Sequence, residues 1–198
     1  MEINIFSTLL FAFVTTFTPG PNNIISTSMG LIYGYRRSLP FLIGIGCGFL
    51  TIMLACSFLS ALLNKYLPSS APYLRIIGAT YILWLAYGVY TKSSNILNKD
   101  KTKALTFFNG YFLQFVNPKA ILYGLTVFST FLSPILDNMF YIILSSILFA
   151  SFSFSAISTW ALTGHFIRGF VDTPKRAKAL GLILSIALVY TAIDLIAL

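Results

Sequence analysis

Acidic side chains are nearly missing from this sequence: five Asp and Glu stand among 198 residues. Most of them lie in polar connections or near the chain ends, too few and too scattered for paired-carboxylate catalysis. Histidine occurs once and cysteine twice, so no metal-ligand cluster exists. Cys47 and Cys56 are nine residues apart on one apolar segment. At ~100° per residue they point to opposite sides of a helix, cannot pair within it, and read as small core residues. Gly44, Gly46 and Gly48 in "GIGCG" have no strand before them and no GK[ST] after them. That excludes a phosphate loop and leaves helix packing as their role. A membrane-embedded enzyme would need a nucleophile with its base, or a metal cluster. The chain has neither, and no cofactor is expected.

Charge of any sign is the larger deficit. Charged residues make up 9% of the chain and hydrophobic ones 57%, against about 25% charged in soluble domains. Mean hydropathy is +0.85. Too few polar groups remain to coat a water-facing surface, so the chain reads as an integral membrane protein with lipid as its solvent, one transmembrane domain over 1–198. The net charge of +8 does not signal nucleic acid. Its cations fall in three groups between apolar runs, and no basic face with interleaved aromatics appears. No Lys or Arg precedes Arg36, so the first segment is expected to stay in the protein rather than be cleaved as a signal.

What is present is a series of apolar runs. Residues Ile3 to Tyr35 carry no charge over 33 positions. One helix of that length is roughly 50 Å against a hydrocarbon core of ~30 Å, so it must tilt strongly, break or re-enter. Further spans are read at Ser38–Asn64, Tyr73–Thr91, Ala104–Leu136, Asn138–Phe166 and Ala179–Leu198, with a polar linker at 92–103. Loops one, three and five hold two, four and four Lys/Arg; loop two holds Lys65 and Arg75, and loop four only Asp137. The alternation places the odd loops in the cytoplasm and both termini, with the 66–72 loop, outside.

The expected fold is all-α: six transmembrane helices as two inverted three-helix repeats, about 1–99 and 100–198, each with a broken first helix. "FTPGPNN" breaks the first run at Pro19, and "FVNPKA" breaks the fourth at Pro118, 99 residues later. Small residues four apart follow in each second helix: Gly44 and Gly48, then Ser151 and Ser155. Measured from opposite ends of their runs, the two breaks fall near mid-membrane and could share one cavity. Inverted repeats with broken helices are a transporter signature.

Proline lacks an N–H, so Pro19 and Pro21 should free the carbonyls of Thr15 and Phe17, and Pro118 that of Gln114. A freed carbonyl accepts from an ammonium, and an open helix start suits a carboxylate. An amino acid carries both. The expected substrate site is therefore Thr15, Phe17, Thr18, Pro19, Gly20, Pro21, Asn22 and Asn23 at the first break, with Gln114, Asn117, Pro118 and Lys119 at the second. Lys119 is the one full charge deep in an apolar run, a placement usually functional or paired, although it could also snorkel to an interface. No carboxylate lies near either break, which favours a small neutral substrate over a basic one. Phe17, Phe115 and Tyr123 are bulky neighbours that would limit its size. Asp194 near the outer rim and His165 in "WALTGH" are candidates for proton handling, His165 also for interfacial capping. Ser151, Ser155 and Ser158 share a helical face that packs or lines the path. The glycine face could equally mediate a homodimer.

"FTPGPNN", "GIGCGF" and "FVNPKA", in that order, resemble the lysine exporter (LysE/RhtB) superfamily of amino-acid efflux proteins. The resemblance covers nearly the whole chain. "LQFVNPKAILYGLTVFSTF" and "WALTGH" are most similar to the cysteine and O-acetylserine exporter branch. This implies export of small neutral amino acids from the cytoplasm across a bacterial inner membrane. Cysteine and O-acetylserine come first, with homoserine, threonine and serine as further candidates. The implied drive is an ion gradient, protons first, rather than ATP. A passive channel for small polar solutes and a scaffold subunit are the rival readings.

Overall fold

The computed structural model describes residues 5–92, 105–171 and 173–197, within the helices without the side chains of 59–75, 77–78, 81, 92, 191 and 194–197. All its regular structure among those residues is helical. The first apolar run is broken: α1 covers Ile5–Phe17 and α2 covers Pro21–Tyr33. Gly20 caps α2 in extended backbone and Pro21 is its first residue, where a missing N–H costs nothing. At the far end Gly34, with φ of 80°, turns the chain directly into α3 (Tyr35–Lys92). Only glycine adopts that conformation without strain.

Helical backbone runs through α3 for 58 residues. The sequence marked 66–72 as a loop; helical turns, not an extended connection, run through those residues. A straight helix of this length would span roughly 87 Å. Yet Tyr33, beside the start of α3, and Thr91, near its end, line one pocket. The run therefore doubles back between its two apolar halves. The linker 92–103 lies almost entirely outside the described residues.

The fourth run is also broken. After α4 (Phe107–Phe115) the chain bends, and α5 (Pro118–Thr126) starts with Asn117 as its cap, whose side chain accepts from the Lys119 N–H. A wide π turn at Val127–Phe131 and a 3₁₀ turn at Ser133–Ile135 lead out of α5. Asn138 caps α6 (Met139–Arg168) by accepting from the N–H groups of Phe140 and Tyr141. The last helix, α7 (Pro174–Ala197), begins five residues earlier than expected. Thr173 and Pro174 form a helix start, the Thr173 hydroxyl accepting from the Arg176 N–H, so Lys175, Arg176 and Lys178 sit on its first turns rather than in a loop.

Small residues set the packing. α2 lies on α6, where a Cβ on Gly30 would strike the Ala161 carbonyl and one on Gly164 the Thr27 carbonyl. α3 lies on α4 in the same manner: Gly44 meets the Phe107 carbonyl, Gly48 the Tyr111 carbonyl, and Gly110 the Phe41 carbonyl. The glycine face expected to pack does so within the chain at Gly44 and Gly48. Ser151 and Ser155 are exposed, so the small residues that seat α6 are Ala161 and Gly164 instead. The second half of α3 packs on α7, with the Ser185 hydroxyl donating to the Ala86 carbonyl at 3.0 Å.

Large apolar side chains cover the outside. Phe6, Phe112, Phe140, Leu148, Ile183 and Tyr190 are all more than half exposed. Such coverage suits lipid, not water. Tyr35–Phe58 and Met139–Arg168 are long and apolar enough to cross a membrane, and Ile5–Phe17 and Ile82–Thr91 are shorter apolar helices. Cys47 faces out and Cys56 is buried, as their spacing required.

Candidate functional site

Both helix breaks meet at one place. As residue numbers rise along the first break, their partners fall along the second. The Lys119 Nζ donates to the Thr18 carbonyl at 3.0 Å, the Asn117 amide to the Asn22 Oδ1 at 3.0 Å, and the Asn22 amide to the Gln114 Oε1 at 2.9 Å. The two broken helices therefore run antiparallel at their junction. Each break is followed by a half-helix beginning in proline, Pro21 and Pro118. The sequence reading paired Pro19 with Pro118; by position in the helix the counterpart of Pro118 is Pro21, because Pro19 lies before the cap.

Asn22 is the hub. Its Oδ1 also accepts from the Gln114 Nε2 at 3.3 Å, and that amide reaches the Gly110 carbonyl as well. Asn23, buried at 4% exposure, spends its amide on the α1 end: it donates to the carbonyls of Thr16 and Thr18, each at 2.9 Å. Unpaired carbonyls deep in an apolar protein cost several kcal/mol, and Asn23 and Lys119 relieve that cost.

Which carbonyls these are differs from expectation. The sequence pointed to Thr15 and Phe17. The structure engages Thr16 and Thr18, because the last α1 bond closes from the Thr18 N–H to the Val14 carbonyl and the chain then turns. The Gln114 carbonyl is not free either; it accepts from the Asn117 N–H at 3.3 Å.

A small cavity of about 40 Å³ opens at the junction. Thr15, Gly20, Pro21, Asn22, Asn23, Asn117 and Lys119 line it, all named from the sequence. Thr16, Phe49, Ala120, Tyr123, Ser153 and Ile157 complete it. Phe17 and Phe115 do not: Phe17 stacks on Phe13 and meets the edge of Phe152, and Phe115 packs on Tyr111 and Phe112. Thr18 contributes its carbonyl while its hydroxyl donates back to Val14. Pro19 is exposed, and Gln114 and Pro118 stand behind the lining. Ser153, rather than Ser151, Ser155 or Ser158, brings a hydroxyl to the cavity. Phe49, Ser153 and Ile157 come from α3 and α6; Phe49 ends the "GIGCGF" motif, whose glycines were read as packing, and no motif marks the other two.

His165 is exposed, near Gly34 and Arg168 at the end of α6 and away from the cavity. The Asp194 side chain lies outside the described residues. A cavity of about 40 Å³ holds roughly two or three waters, less than an amino acid needs.

The family described as LysE type translocator matches residues 13–198. A cysteine/O-acetylserine efflux protein of Salmonella paratyphi A is 39% identical over 184 residues, covering 92% of each chain. One from Escherichia coli O1:K1 is 36% identical over 193 residues, 94% of this chain and 96% of its own. One from Salmonella choleraesuis is 38% identical over 184 residues, 92% of each. No solved structure matches. With almost its whole length accounted for in this way, the chain belongs to the LysE family of translocators, and is a transporter rather than an enzyme.

Proposed function

We propose that this protein exports small neutral amino acids, cysteine and O-acetylserine first, across the bacterial inner membrane. The observation that carries this reading is the antiparallel meeting of two broken helices around one polar junction. The pattern of relatives supports the substrate class, since each is named a cysteine/O-acetylserine efflux protein.

The fold proposed is six spans in two inverted repeats within a single domain over 1–198, with both termini outside. Reciprocal packing supports it: α2 of the first half lies on α6 of the second, and α5, the counterpart of α2 in the second half, lies on α3 of the first. A two-fold axis in the membrane plane produces that exchange.

In the proposed binding mode Lys119 stands in for the substrate. Its ammonium occupies the Thr18 carbonyl that a substrate ammonium would take. The N–H groups of Asn22 and Asn23, in the first turn of α2, have no helical carbonyl behind them and face a carboxylate well. An entering zwitterion would displace the lysine from Thr18, and the released ammonium would join those N–H groups at the carboxylate. A basic substrate would place a second cation beside Lys119 with no carboxylate to balance it. The proposed drive is proton exchange, on the family resemblance.

Reconstitution into liposomes tests this. Labelled cysteine, O-acetylserine, serine, threonine and lysine would be offered under an imposed pH gradient. Saturable uptake with counterflow, and weak competition by lysine, is expected. Non-saturating flux would mean a channel, and preferred transport of lysine would overturn the charge argument.

A further inference from the structure

Tyr123 is 4% exposed and lines the junction cavity, where its hydroxyl lies beside the Thr16 side chain and makes no close hydrogen bond. Every other large polar side chain in the lining already makes at least one hydrogen bond. Asn22, Asn23, Asn117 and Lys119 bond to one another, to Gln114 or to backbone. The remaining polar lining is the hydroxyls of Thr15, Thr16 and Ser153. A buried hydroxyl without a close hydrogen bond is costly, and its natural partner is whatever fills the cavity.

The ring is held so that this hydroxyl cannot turn away. Phe49 of α3 meets it edge-on at 5.4 Å, Phe149 of α6 edge-on at 6.0 Å, and Phe11 of α1 tilted at 5.5 Å. Phe11 is braced in turn by Phe131 at 5.2 Å. Three helices thus fix one tyrosine. Tyr123 follows Lys119 by four residues on α5, so the two share a helix face with Cβ atoms ~6 Å apart, the scale of a small amino acid. One end of the cavity is amide and ammonium. The other is aromatic, with Phe49 in the lining beside Tyr123.

We infer that Tyr123 and Phe49 form the side-chain subsite of the transporter. The Tyr123 hydroxyl donates to an acceptor on the substrate side chain, and the ring of Phe49 takes the apolar remainder. The ligand class is a small neutral amino acid whose side chain carries an oxygen or sulfur acceptor within a few bonds of the α-carbon. The inference rests on the proposed transport reading and deepens it, since nothing in the breaks themselves distinguishes one neutral side chain from another. An apolar site cannot strongly reject analogues, whereas a fixed donor left unpaired can.

The test is competition binding to purified protein in liposomes, with O-acetylserine, cysteine, 2-aminobutyrate and alanine. The last two keep the zwitterion and lack the acceptor. Wild type should prefer O-acetylserine over 2-aminobutyrate by at least ~10-fold, and Tyr123→Phe should collapse that ratio to about one while leaving alanine within ~2-fold. Equal losses for all four ligands, or no change for any, would overturn the subsite. Phe49→Leu is the second variant: a wider wall should raise competition by methionine or leucine ~5-fold, and unchanged exclusion of both would count against it. Wild type that binds none of these neutral amino acids would sink the transport reading itself. That outcome is distinct from intact binding that is blind to Tyr123→Phe.

Discussion

The Lys119 ammonium donates to the Thr18 carbonyl at 3.0 Å, joining two helix breaks that lie 101 residues apart in sequence. Gly20 makes room for it: a Cβ there would come within 3.2 Å of Nζ and 3.3 Å of Cδ. Hydrogen bonds to a charged group contribute about 1.5–3 kcal/mol, or ~10- to 100-fold in an equilibrium. In the proposed binding mode the released ammonium makes a bond of that kind to the substrate carboxylate, so Lys119→Gln is expected to lower transport at least ~10-fold with the protein still inserted and folded. Gly20→Ala should act in the same direction by crowding the lysine. Uptake assays on both variants, with expression held equal, measure this; unchanged affinity in Lys119→Gln would place the site elsewhere.

Asn22 holds Gln114 and Asn117 together across the junction. Asn22→Ala leaves two buried amides short of a partner, a cost of about 1–3 kcal/mol each. Thermal unfolding in detergent should show a clear loss of stability. In a double-mutant cycle with Gln114→Ala the two losses should be strongly non-additive. Simple additivity would mean the network does not couple the breaks.

How much of this was legible in the sequence varies by residue. Pro19, Pro21 and Pro118 announce a break because a missing N–H is a local property. Gly44 and Gly48 announce close packing for a similar reason. The carbonyls of Thr16 and Thr18 were missed, since which ones open depends on where α1 makes its last bond. Tyr123 was named as a bulky neighbour of the break and does line the cavity, whereas Phe49 and Ser153 reach it from other helices that only the assembled fold brings there. The helical turns through 66–72 were also illegible, because prolines and serines there read as an open loop.

A methyl group at the glycine contacts has nowhere to go. Gly44→Ala and Gly164→Ala each force a Cβ onto a backbone carbonyl of the neighbouring helix. Overpacking of this kind costs typically about 1–3 kcal/mol. Lower melting temperatures are expected for both. Gly88→Ala, where a Cβ meets nothing within 4 Å, should behave like wild type. Equal effects at all three positions would show that packing at these glycines does not govern stability.

Orientation is open to direct measurement. In a Cys47→Ser background, which removes the exposed native thiol, Asn138→Cys should react with an impermeant thiol reagent from outside the cell. Lys175→Cys should react only after permeabilisation. The reverse pattern would invert the proposed topology and leave the direction of transport unexplained.

The close glycine contacts also have a mechanical consequence. They tie α2 to α6 and α3 to α4, so each tight pair takes one helix from either half of the chain. The rigid bodies expected in a rocking motion are then these mixed pairs rather than the sequence halves, with the polar junction between them. Spin labels at Ile43 and Phe112, both exposed and both on the α3–α4 pair, should keep a fixed separation when substrate is added. Labels at Phe112 and Phe166, one on each pair, should move apart or together. Opening is therefore predicted to run between the mixed pairs rather than between the two halves of the chain.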